Sequence, residues 1–233
     1  MEDLNKKLTT DDMLIRYFNV GVTNVLSEYF DVKCCDKGHY WFTPWEGHCR
    51  KAFNLFAEKG ASYPILWGYN FDFIPTQQNS GKYIYHRTEK AVTLHFEDAF
   101  DYHTDYDPDK LTLHEAYAFK KQYTLSSYIF GYMNINNVAA AYKYIEEITR
   151  RNIPFMLDFF ERVKTIDDII AEMDKRIEKE RKSLSFYGLC YHRAFLLSYQ
   201  KRMDEAIASL KMRYENIPED LMARLEKVYA MVD

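Results

Sequence analysis

Glycine and proline are scarce in this chain, eight and six among 233 residues. With no glycine-rich stretch there is no loop of the kind whose backbone amides cradle a nucleotide phosphate. No P-loop, dinucleotide fingerprint, kinase set or nucleophile elbow is found either. Cysteine is sparser still. Cys34, Cys35, Cys49 and Cys190 make no disulfide framework, and in a chain of this length they read as reduced thiols of a cytosolic protein. No apolar run approaches the roughly 18 residues of a membrane span, so no membrane association is expected. The opening MEDLNKKLTTDDM lacks an apolar h-region, which argues against a secretory leader. An excess of basic charge is missing as well. The formal net charge is -4, which removes the footprint of a general nucleic-acid binder.

What the chain has in quantity is aromatic side chains: 20 Tyr, 16 Phe and 3 Trp. Tyrosine buries its ring while its hydroxyl keeps a polar partner, so such a chain suits half-buried sheets and interfaces. A composition of 47% hydrophobic and 28% charged residues is that of a folded protein, long enough to bury a core without staples.

Periodicity gives the elements. Thr9 and Asp12 resemble a capping box, and Leu14, Phe18, Val22, Val25, Leu26 and Phe30 make one helical stripe after it. DVKCCDKGHYWF reads as a hairpin turning at Asp36-Lys37-Gly38. EGHCRKAFNLFAEKG reads as a helix, with Cys49, Ala52, Phe53 and Phe56 buried and Gly60 at its C-terminal cap. From Ile65 to Phe73 the odd positions Ile65, Trp67, Tyr69, Phe71 and Phe73 alternate with smaller or polar ones, the mark of a strand with one face in the core. Turns at Asn79-Ser80-Gly81 and Thr88-Glu89-Lys90 set off KYIYHRT and AVTLHFE as two further strands.

After the acidic connector at 97–109 the period becomes helical. One helix is expected over LTLHEAYAFKKQYTLSSYIFGYM. The next, VAAAYKYIEEITRR, would be capped by Asn134 or Asn136, and Pro154 would open another. A further helix begins at Thr165, with Asp168 as its capping partner and Ile166, Ile169, Ile170, Met173 and Ile177 as its stripe. The mixed charges of Asp174 to Lys182 read as a solvated helix face. The fold expected is α+β: an antiparallel sheet of about five strands with flanking helices in residues 1–109, then a helical region over 110–233 packed on or beside it.

Two clusters invite a chemical reading. His86, His95, Glu97 and His103 are the right ligand types for a divalent metal, with Asp98, Asp101, Asp105, Asp107, Asp109 and His114 close by. The spacing is against it: there is no H-E-x-x-H, and the calcium-loop beginning at Asp105 runs into Lys110 where glycine is needed and Ala116 where glutamate is needed. Cys34, Cys35, His39, His48 and Cys49 match no zinc-finger spacing, and adjacent cysteines on a strand point to opposite faces. No cofactor is expected. The aromatics Trp41, Trp45, Trp67, Tyr69, Tyr83 and Tyr85 fall in or near the sheet, and those that face outward would form an interaction surface for a protein partner or a second copy of the chain.

The stretch from Ile148 to Leu210, with IPFMLDFFERVKTIDDIIAEM followed by MDEAI, resembles a bacterial domain-of-unknown-function family (DUF4304-like). In such proteins an N-terminal helix and an antiparallel sheet precede this region. The resemblance implies a bacterial cytosolic protein and carries over no active residue. SLSFYGLCYHRAFLLSYQKRMDEAIASLKMRYENIPED also resembles the helix pair of one tetratricopeptide repeat. Ala194 and Ala206 stand at its small positions, Pro218 stands downstream, and Lys201 takes the place of the turn glycine. The expected function is therefore non-catalytic, through protein–protein interaction in the cytoplasm. The alternative is a metal-dependent hydrolase using the His/Asp/Glu cluster between 86 and 115.

Overall fold

The computed structural model describes residues 10–35, 39–56, 62–78, 80–100, 115, 118, 121–126, 138–179 and 184–232. In chain order the described elements are α1 (Thr10–Leu26), β1 (Lys33–Cys34), β2 (Tyr40–Phe42), β3 (Cys49–Leu55), β4 (Ser62–Phe71), β5 (Pro75–Gln77) and β6 (Tyr83–Tyr85). They continue with β7 (Phe96–Ala99), β8 (Thr124–Ser126), α2 (Val138–Arg162), α3 (Ile166–Lys179), α4 (Leu184–Tyr199), α5 (Met203–Lys211) and α6 (Glu219–Tyr229). This is a mixed helix-and-sheet fold, with an antiparallel sheet followed by several C-terminal helices. Two compact units form, one from Met1–Asn70 with Arg87–Leu157, the other from Phe71–His86 with Asp158–Asp233. The division expected at 109/110 lies outside the described residues.

The first unit holds a six-stranded sheet in the order β1-β2-β3-β4-β7, with β8 also paired to β4. Trp41 stands opposite Phe53, Phe42 opposite Ala52, and Tyr69 opposite Phe96. The stripe of α1 is buried as its spacing requires, at Phe18, Val22, Val25, Leu26 and Phe30; the Leu14 side chain lies outside the described set. Phe30 meets Phe53 with ring centroids 5.0 Å apart, and Trp41 Nε1–H donates to Thr23 Oγ1 at 2.7 Å. Full burial of each such side chain is worth about 1.5–3 kcal/mol, which fixes helix and sheet together.

Four sequence expectations are corrected here. Residues 49–55 form strand β3 and no helix. Gly47, at φ 61, turns the chain so that Glu46 and Cys49 exchange backbone hydrogen bonds, and β3 then lies antiparallel to β2. That pairing overrides a helical spacing, and Phe56, counted on the buried stripe, is 53% exposed. Residues 124–126 form β8 where continuous helix was expected. Asn152 Nδ2 and Tyr144 Oη on α2 bond the carbonyls of Tyr123 and Thr124, and Leu125 is fully buried. Within 91–97, strand pairing begins at Phe96, while Val92 turns into a small cluster with Cys35, Phe42 and Ala52. Pro154 sits inside α2 instead of opening a helix. The turns expected at Asp36–Gly38, the cap at Gly60 and the caps at Asn134 and Asn136 lie outside the described residues.

The second unit combines the β5–β6 hairpin with α3 to α6. The capping box at its first whole helix is formed: Asp168 N–H donates to Thr165 Oγ1 at 3.1 Å and Thr165 N–H to Asp168 Oδ2 at 2.9 Å. Ile169, Ile170, Met173 and Ile177 are buried. Between α4 and α5 the chain reverses at Lys201, which takes φ 62. Lys201 N–H bonds Ser198 O and Arg202 N–H bonds Leu197 O, the pair of bonds that usually ends a helix with glycine at this position. Ala194 and Ala206 are fully buried in the α4–α5 contact, and Ser209 Oγ donates to Cys190 O at 2.9 Å.

Candidate functional site

The six aromatics expected to offer a surface divide sharply. Trp41, Trp67 and Tyr69 are 0%, 1% and 5% exposed and belong to the core of the first unit. Trp45 is half-buried, with the Arg50 guanidinium 4.3 Å from its ring centroid. Tyr83 and Tyr85, on β6 of the second unit, are half-buried and open toward a cluster that the sequence did not show.

That cluster is built from the β5–β6 hairpin, the middles of α4 and α6, and the residues just past α5. Strand alternation sends Tyr83 and Tyr85 to the same side of the hairpin. The Arg224 guanidinium, from α6, lies 4.2 Å over the Tyr83 ring, and its Nη1 donates to Tyr85 Oη at 3.3 Å. Tyr191 on α4 donates its hydroxyl to Pro75 O at 2.9 Å. Arg213, just past α5, lies 5.2 Å from the Tyr191 ring and 5.0 Å from the Tyr214 ring. Tyr214 Oη bonds Gln77 Oε1 at 3.3 Å. Burial raises the phenol pKa of Tyr83, Tyr191 and Tyr214, so all three are hydrogen-bond donors at neutral pH. Exposed Tyr187 and Met212 flank the group, and Arg213 Nη1 bonds Tyr187 O at 3.4 Å.

Among the described residues, those considered for a metal do not assemble. His95 is buried at 2%, Glu97 is exposed on β7 opposite Gly68, and His86 is half-buried with Nε2 3.0 Å from Thr76 Oγ1. His103 lies outside the described residues. Among the described residues no three His, Cys, Asp or Glu side chains could hold a metal ion. His95 and Glu97 thus differ, the one buried and the other exposed. His95, just before β7, ends a buried polar row that runs from Arg50 on β3 through Asn70 on β4. Arg50 Nε–H donates to Asn70 Oδ1 at 2.8 Å, which leaves the Asn70 amide to face His95 Nδ1 at 3.4 Å. That order makes Nδ1 the acceptor and places the imidazole proton on Nε2. Arg50 also bonds Thr88 O at 3.3 Å and stacks between Phe42 and Trp45. The bonds of Arg50 and Asn70 hold the 88–91 turn to the sheet, while His95 Nε2 is a buried polar atom that they do not reach. Cys35 and Cys190 are buried, Cys34 and Cys49 half-buried, and no disulfide joins them.

No family model, curated protein or solved structure matches the chain. No helix among the described residues is long and apolar enough to cross a membrane.

Proposed function

We propose that the chain is a non-catalytic interaction protein and that the tyrosine–arginine face of its second unit is where another protein docks. One observation carries the reading: Tyr83, Tyr85, Tyr214, Arg213 and Arg224 gather, half-buried, around the buried Tyr191. Tyrosine and arginine are the residue types that dominate binding energy at interfaces, because they offer large rigid area with a polar end. The helices behind this face support it. The α4–α5 pair, with its buried alanines and a following Pro218 at the start of α6, suits a tetratricopeptide-like packing unit. A bacterial cytosol is the setting that the family resemblance suggests. The hydrolase alternative gains no support, since no metal-holding group forms among the described residues.

The test is affinity purification of the tagged full chain from its own host with quantitative mass spectrometry, comparing wild type with Tyr85→Ala and Arg224→Ala. A partner depleted at least about tenfold by both changes, with the helical circular dichroism unchanged, is the expected result; that factor corresponds to about 1.4 kcal/mol. Loss of self-association instead would make the partner a second copy. Binding that neither change affects would refute the reading.

A further inference from the structure

We infer that the segment docking on this face is an acidic peptide, which presents aspartate or glutamate carboxylates beside an apolar side chain. The inference rests on the interaction reading above and adds the chemistry of the partner. Arginines elsewhere in the same unit have carboxylates: Arg162 pairs with Asp158, Arg193 with Asp174 and Arg202 with Glu205. Arg213 and Arg224 have none within ion-pair distance among the described residues. Each instead sits over tyrosine rings, Arg213 at 5.2 and 5.0 Å from the Tyr191 and Tyr214 centroids and Arg224 at 4.2 Å from that of Tyr83. A ring contact does not use up the N–H donors at the edges of the group. Those edges make one hydrogen bond each, at 3.4 Å to Tyr187 O and 3.3 Å to Tyr85 Oη, both longer than a well-formed bond. An arginine fork held in place by ring contacts, with its edge donors weakly used, is matched by a carboxylate, which takes two of them side by side.

Asp220, on the first turn of α6, helps raise the Tyr83 and Tyr214 phenols but bonds neither arginine. Exposed Tyr187 and Met212, beside Arg213, offer apolar area to the residue next to that carboxylate.

The probe is a phage library of random twelve-residue peptides, selected on the immobilised full chain and then on Arg213→Gln and Arg224→Gln, each checked for native circular dichroism. Expected are selected peptides with aspartate and glutamate enriched at least about twofold, binding about tenfold weaker to either variant, and weakening as salt rises through the range where the screening length is about 10 Å. If one variant fails to fold, the other decides. Peptides that need Tyr83 and Tyr85 but show no acidic enrichment overturn this inference and leave the interaction reading standing. If nothing is selected, both fall. Tighter binding of a labelled single-stranded RNA than of any peptide also overturns it.

Discussion

Replacing Arg50 with methionine tests whether the polar row of the first unit is structural. Methionine keeps most of the buried stem and deletes the guanidinium. Lost are a charged hydrogen bond to Asn70, about 1.5–3 kcal/mol, and two ring contacts of about 0.5–2 kcal/mol each. Gained is relief from holding a cation at 3% exposure with no carboxylate in ion-pair distance among the described residues, a penalty of several kcal/mol. These nearly cancel, and Asn70 decides the sign. Its side chain is fully buried, and without Arg50 its Oδ1 loses its donor, at about 1–3 kcal/mol. The expected net loss is about 2 kcal/mol, a shift of about 1 M in urea midpoint at a slope near 2 kcal/mol per molar. The three tryptophans, Trp41, Trp45 and Trp67, all lie in the first unit, so their fluorescence follows its unfolding alone. Adding Asn70→Leu should recover about 1 kcal/mol or more in a double-mutant cycle. A single variant as stable as wild type, or strict additivity of the two changes, would show that the row is not held by mutual bonding.

Three other outcomes follow from the same structure. Asp168 should titrate below the ordinary 3.8, because the Thr165 amide and hydroxyl bond its charged form. Its contribution to stability is therefore complete above that value and is lost as pH falls through the lower folded pKa; an NMR midpoint at or above 3.8 would contradict the capping geometry. Gly68→Ala should cost about 3 kcal/mol, because the new Cβ would stand 2.0 Å from the backbone oxygen of Phe96, whereas Gly21→Ala meets the Ile145 side chain at 2.5 Å and should cost about half as much. Equal costs in urea titrations would refute that ordering. Tyr191→Phe should lose about 1 kcal/mol with its bond to Pro75 O, and in the wild type this buried phenol should be the last to ionise in an alkaline ultraviolet titration.

Local signals in the sequence were reliable where they act locally. The stripe of α1, the Thr165–Asp168 box and the reversal near Lys201 depend on residues within a few positions of one another, and each forms. The β3 segment fails for the opposite reason. Its strand character comes from pairing with β2 across Gly47, and nothing in CRKAFNL alone outweighs the helical spacing of its apolar residues. The tyrosine–arginine face was half legible. Alternation places Tyr83 and Tyr85, but Tyr191 and Arg224 arrive from two helices far along the chain and Arg213 from the segment just past α5, and no spacing rule joins them.

The harder lesson concerns the other side of β4. Alternation rightly put Ile65, Trp67, Tyr69 and Phe71 in the core, and it implied that the residues between them face water. Asn70, on that other side, is fully buried, and so are its neighbours in the row, Arg50 and His95. A strand with a polar face looks the same in sequence whether that face is solvated or closed beneath a turn. What separates the two cases is whether the polar groups can bond one another, and Arg50, Asn70 and His95 Nδ1 are joined in one directed line, which does not reach His95 Nε2. The interaction proposal therefore rests on the half-buried tyrosines and arginines of the second unit, since Trp41, Trp67 and Tyr69, the aromatics expected in or near the sheet, are buried in the core of the first.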